Sequence, residues 1–120
     1  HNHGWETWGN FPKDRTRLLS LLENTKGEII VISGDRHSAE ISQLHLTNGF
    51  PLLDVTSSAM NQRQRPNSEK NKYRIGEKYF KENFGLIEID WSKKKPSVEV
   101  SIRDLDGESR IKHRLDYNRK

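Results

Sequence analysis

The sequence predicts an α/β fold that is mostly β after residue 28, and three observations predict it. Leu18, Leu19, Leu21 and Leu22 recur on one helical face shortly after Pro12. Ile29-Ile30-Val31-Ile32 is an unbroken β-branched run of strand length. Beyond residue 86 the apolar residues alternate, and Asp106-Gly107 divides the last two runs as a hairpin turn would.

In chain order, residues 1–11 are rich in His, Trp, Gly and Asn and have no apolar period, so they read as a loop. Pro12 suits the first turn of a helix, where its missing N–H is not needed. Lys13, Asp14, Arg17 and Glu23 then face water, and Lys26-Gly27 supplies a stop. The run 29–32 is expected as a strand buried on both faces. It ends in the polar cluster Ser33-Gly34-Asp35-Arg36-His37, at the strand edge where layered α/β folds bind ligands.

Residues 38–46 predict a further strand through Ala39, Ile41, Leu44 and Leu46. Its apolar phase switches between Ile41 and Leu44, which points to a bulge. Asn48-Gly49 marks a turn, and Pro51 to Val55 a short strand that leads into Thr56-Ser57-Ser58. Residues 61–78 hold few apolar positions and read as a long loop with room for a short helical piece. Leu86 to Trp91, then Val98, Val100 and Ile102, then Ile111, His113, Leu115 and Tyr117 give three strands, the last two forming a C-terminal antiparallel hairpin.

The length of 120 residues sets one domain, residues 1–120, as the upper bound. Hydrophobic residues are 31% and charged residues 32%, so the core is thin and some apolar surface is left for a neighbour. The formal charge of +4 suits phosphates, nucleic acid or an anionic surface, and equally an ordinary solvated face. The absence of cysteine excludes disulfides and thiolate zinc sites. No apolar run reaches the roughly 18–20 residues of a membrane span, so no membrane is expected. The opening His-Asn-His-Gly-Trp carries no apolar leader, and the chain is expected to be a fragment or a processed product.

Gly34-Asp35-Arg36-His37 is the sharpest chemical feature. A carboxylate and an imidazole leaving a strand on a turn can converge on one ion, and Gly34 lets the backbone make that turn. The pair suits manganese, iron, zinc or calcium. A turn with an Asp cap and a surface His is the plain alternative.

Ile32-Ser33-Gly34-Asp35-Arg36-His37 resembles the Gly-Asp-x-His motif of the alkaline phosphatase D (PhoD-like) branch of calcineurin-like metallophosphoesterases. Upstream, Glu6-Thr7-Trp8-Gly9-Asn10-Phe11-Pro12 followed by Arg15, Arg17, Leu18 and Leu19 is similar to the family's acidic–Trp–Gly-Tyr-Pro segment and its Arg-x-x-Leu-Leu helix. Downstream, Pro51 to Ser58 resembles the family's strand and serine-rich turn, and Asn83-Phe84-Gly85 its C-terminal end. Phe11 departs from the family's Tyr, and Gly9-Asn10 from an Asp-Gly pair, which touches substrate contacts but not Asp35 or His37.

The resemblance implies the second half of a calcineurin-like sandwich and hydrolysis of phosphomonoesters or phosphodiesters at two metal ions. Asp35 and His37 would ligate one metal each, or one would support a ligand by hydrogen bonding. Arg36, Glu6, Trp8 and His3 would meet the substrate or a ligand. The family's earlier Gly-Asp and Gly-Asn-His motifs have no counterpart here, so the chain is expected to carry part of the site and to need the N-terminal portion of its parent or a second copy. The resemblance also suggests a secreted or periplasmic parent.

Other candidates read more plainly. His1 and His3 form a spacing common by chance at a chain start. Trp5 and Trp8 suit a wall or core. Ser57 and Ser58 have no neighbouring base. His45 and His113 sit within strand patterns. The rival reading is a binding module: Arg63, Arg65, Lys70, Lys72 and Arg74 with Tyr73, and Lys93-Lys94-Lys95, make basic patches. No RNP-type string or recognition helix accompanies them, so nucleic acid is not the expected partner. A structural module without catalysis is the third reading.

Overall fold

The structure, a computed structural model, describes residues 7–92 and 94–116, the last of these by its backbone alone. Among the described residues it is mostly β, with one α-helix and seven strands in two sheets. His3, Glu6, His1, Trp5, Lys93 and Tyr117 lie outside the described residues.

A single 3₁₀ turn over Trp8–Asn10 leads into α1, Pro12–Glu23. Pro12 occupies the first turn as the sequence predicts. The helix stops three residues before Lys26-Gly27, because the Asn24 side chain donates to the Ser20 carbonyl (2.8 Å) and satisfies one of the last orphan acceptors. Glu23 ties the helix end to the 46–49 turn by accepting from the Thr47 N–H at 2.8 Å.

The first sheet has the order β1-β3-β2-β4, formed by β1 (Ile30–Ser33), β2 (Ala39–His45), β3 (Pro51–Thr56) and β4 (Arg74–Tyr79). β1 and β3 are parallel, and the other pairs are antiparallel. The second sheet is a meander of β5 (Phe84–Asp90), β6 (Ser97–Arg103) and β7 (Ser109–Asp116). Ala39, Ile41, Leu53 and Val55 from the first sheet meet Val98, Val100, Ile102 and Leu115 from the second in one buried cluster. Burying such side chains contributes about 1.5–3 kcal/mol each.

Three expectations are corrected. β1 is not buried on both faces: among the described residues it is an edge strand paired with β3 alone, and Ile32 is 70% exposed. The bulge lies elsewhere. β2 pairs regularly with β3 from Glu40 to His45, and the register shifts against β4 between Ala39 and Ile41. Ile41 and Leu44 are both covered because the sheet is covered on two sides: Ile41 faces the core, while Leu44 lines a cavity shared with α1. The loop ends at Tyr73, and residues 74–79 form β4. Its Arg74 and Lys78 are neutralised by Glu40 and Glu69, so a strand poor in apolar residues still packs.

Candidate functional site

β1 and β3 run parallel in register, Ser33 beside Thr56, so both strands deliver their C-terminal ends to one corner of the sheet. The turn Gly34–His37 leaves the first strand there, and Ser57-Ser58 leaves the second. Asp35 (φ 60°) and His37 (φ 50°) both adopt the left-handed conformation. For residues with a Cβ this costs about 1–2 kcal/mol each, less for Asp, whose short side chain eases it. Both side chains are exposed. Residues two apart on an extended chain share a face; here Asp35 and His37 stand instead on a turn in which both are left-handed.

Hydrogen bonds on either side hold the turn. The Ser57 N–H donates to the Ser33 carbonyl (3.1 Å), and the His37 N–H donates to Ser58 Oγ (3.0 Å). Ser33 Oγ donates to Asp54 Oδ1 (3.0 Å) and lies 2.7 Å from Thr56 Oγ1. Burial raises the Asp54 carboxyl above its ordinary value; the Ser33 hydrogen bond opposes the shift and the negative charge of Glu40 adds to it.

Arg36, between the two expected ligands, is turned toward the loop. Its Nη2 donates to both carboxylate oxygens of Glu69 at 2.7 Å, and Lys78 Nζ donates to Glu69 Oε2 at 2.8 Å. Arg74 extends the network, with Nε on Glu40 Oε2 at 2.5 Å and Nη2 on the Glu69 carbonyl at 3.1 Å. Trp8, 54% exposed, lines with Gly34, Arg36, Asp54 and the α1 leucines a cavity of about 270 Å³ beneath the helix.

The structure thus brings Asp35, Arg36 and His37 into one turn and places Trp8 on the rim beside it; Glu6 and His3 are outside the described residues. Among the described residues no group of three or more His, Asp or Glu stands close enough to hold a metal ion. Asp35 offers one hard oxygen donor and His37 one ring nitrogen. Two donors fit part of a coordination sphere for manganese, iron, zinc or calcium.

Ser57 and Ser58, which the sequence singles out only as a polar run, brace the turn, together with Asn83. Ser57 Oγ donates to Asn83 Oδ1 at 3.0 Å, and Asn83 Nδ2 donates to the Ser58 carbonyl at 2.6 Å. The basic loop is partly neutralised: Arg63 pairs with Glu82 (3.4 Å), and Tyr73 receives Lys72 over its ring at 4.9 Å while lining the cavity under α1. No helix among the described residues is long and apolar enough to cross a membrane. No protein-family model, curated protein or solved structure matches the chain.

Proposed function

We propose that this chain contributes Asp35 and His37 to the metal centre of a phosphoester hydrolase of the calcineurin-like, alkaline phosphatase D type. One observation carries the reading: an exposed carboxylate and an exposed imidazole sit on two left-handed residues of one turn, at the shared C-terminal end of two parallel strands. Backbone strain of this kind persists where surrounding structure imposes it, and it clusters at functional sites. The order of the Trp8 segment, the Gly34–His37 turn and the Thr56-Ser57-Ser58 run along the chain supports the same family resemblance.

When bound, two divalent ions would supply charge for the phosphate oxygens and a hydroxide for in-line attack. The chain's own part is to present the Asp35 carboxylate and the His37 ring at fixed spacing. Arg36 and Lys78 hold Glu69, and thereby fasten the 57–73 loop behind the turn. The remaining ligands would come from another segment of a parent protein or from a second copy. The open flank of the sandwich supports this half-site reading: Ile32 is 70%, Ile89 42% and Trp91 73% exposed along β1 and β5 and the turn beyond.

Manganese titration followed by NMR tests the proposal on the chain itself. The amide signals of residues 34–38 broaden first, and His37→Ala weakens that binding at least about tenfold, the scale found for lost ligand support. Broadening spread evenly over the acidic surface, or unchanged in His37→Ala, would remove His37 from the site. Hydrolysis of a chromogenic phosphodiester with added metal is the companion assay. Metal-dependent turnover that His37→Ala abolishes would show a complete site in this chain and overturn the half-site part of the reading.

A further inference from the structure

Residues 57–59 are gripped at three points by one side chain and its backbone. Asn83 is 2% exposed and lies just before β5 in the second sheet. Its Oδ1 accepts from Ser57 Oγ (3.0 Å), its Nδ2 donates to the carbonyls of Ser58 (2.6 Å) and Lys81 (2.8 Å), and its N–H donates to the Ala59 carbonyl at 3.2 Å. A buried amide with both donors and its acceptor engaged has one orientation open to it. Ala59 itself is held at φ 82°, a third left-handed residue with a Cβ. Gly85 closes the other side: a Cβ there would stand 3.1 Å from Ser57 Cβ, so the two sheets approach closely at this seam.

The clamped segment has an output. Ser58 Oγ accepts the His37 N–H at 3.0 Å, across 21 residues of sequence, and it is the hydrogen bond that reaches the left-handed His37 backbone directly. Asn83 holds the Ser58 backbone and the Ser58 hydroxyl accepts from the His37 N–H, so the clamp bears on the backbone from which the imidazole projects. We propose that Asn83 and Ser58 are positioning residues for His37: Asn83 clamps the 57–59 segment, and Ser58 carries that constraint to the turn. The significance for metal binding rests on the reading of His37 as a ligand; the brace itself does not.

Two measurements on the same variants separate these. In the first, amide hydrogen exchange, the His37 N–H exchanges about five- to tenfold faster in Ser58→Ala and in Asn83→Ala, as expected for one lost hydrogen bond. The Val100 and Ile102 amides keep their protection in Ser58→Ala, and Ser58→Thr, which retains the hydroxyl, restores that of His37. Should Asn83→Ala not fold, Ser58→Ala decides alone, since it removes one oxygen from a half-buried site. In the second, manganese affinity falls about tenfold in Ser58→Ala and recovers in Ser58→Thr. Unchanged His37 exchange in Ser58→Ala overturns the brace, even where manganese binds. Faster His37 exchange in Ser58→Ala, together with no manganese binding at residues 34–38 in the wild type, leaves the brace standing and overturns the ligand reading instead.

Discussion

His113 stands opposite Val100 on β7, and burial lowers its pKa below the ordinary 6.5. Asp54 lines the cavity under α1, and burial raises its pKa above 3.8. The two give stability opposite slopes with pH. As pH falls through 6.5 the unfolded chain protonates at His113 before the folded one does, so stability is lost on acidification. At Asp54 the folded chain takes up its proton first, so stability is gained as pH falls through the folded value toward 3.8, and lost again as pH rises through that window. Denaturation midpoints check both. His113→Gln should flatten the loss between about pH 7 and 5.5. Asp54→Asn should gain most over the wild type at neutral pH, and its advantage should shrink on approach to pH 3.8. A wild-type midpoint that does not move below pH 6.5 denies the His113 part.

At the scale of elements, Glu69 decides whether the 57–73 loop belongs to the sheet. Its carboxylate takes Arg36 and Lys78 together, and Lys78 retains only 3% side-chain exposure. Removing the charge takes from Arg36 and Lys78 the carboxylate they share, and breaking a buried ion pair costs about 3–5 kcal/mol. Exposure of up to 18% at Arg36 sets the expectation near the lower end. Glu69→Gln should therefore lower stability and, by loosening the loop, speed tryptic cleavage after Arg63; cleavage there at the wild-type rate would show that the loop is held by other means.

The same network explains which elements were legible. α1, β1, β3, β6 and β7 carry their cause in neighbouring residues: a proline at the first turn, β-branched runs, alternation and an Asp-Gly turn. The last of these is further secured by Asp104. Burial works against its ionisation, but hydrogen bonds from Arg110 and from the Glu108 and Asp106 N–H groups hold its pKa below the usual value. β4 was not legible, because Arg74 and Lys78 become inward residues only through Glu40, 34 positions away, and Glu69. The site divides in the same way. Gly34-Asp35-Arg36-His37 is contiguous and was visible as a string, whereas Ser58 joins it across 21 residues and Asn83 joins Ser58 across 25.

At the scale of the molecule, the two sheets meet where β7 packs against β2 and β4 and where Gly85, at the start of β5, approaches Ser57, and a gap opens between Ile30 of β1 and Ile87 and Ile89 of β5. The gap is a groove of about 610 Å³ lined by Ile30, Ile87, Ile89, Pro96, Val98 and Trp91, with Lys94 and Lys95 at its rim. The indole of Trp91, 73% exposed, is therefore a built-in optical gauge of that flank. Its fluorescence should emit at the long wavelengths of a hydrated ring and be quenched readily by acrylamide. Whatever polypeptide comes to cover the groove, including a second copy at high concentration, should shift that emission to the blue and shield it from the quencher. Trp91→Phe should abolish the shift while Trp5 and Trp8 continue to emit. Association seen by light scattering with no change in emission would place the contact elsewhere. An exposed aromatic on this surface is thus the one that lets the covering of the groove be watched in solution without a label.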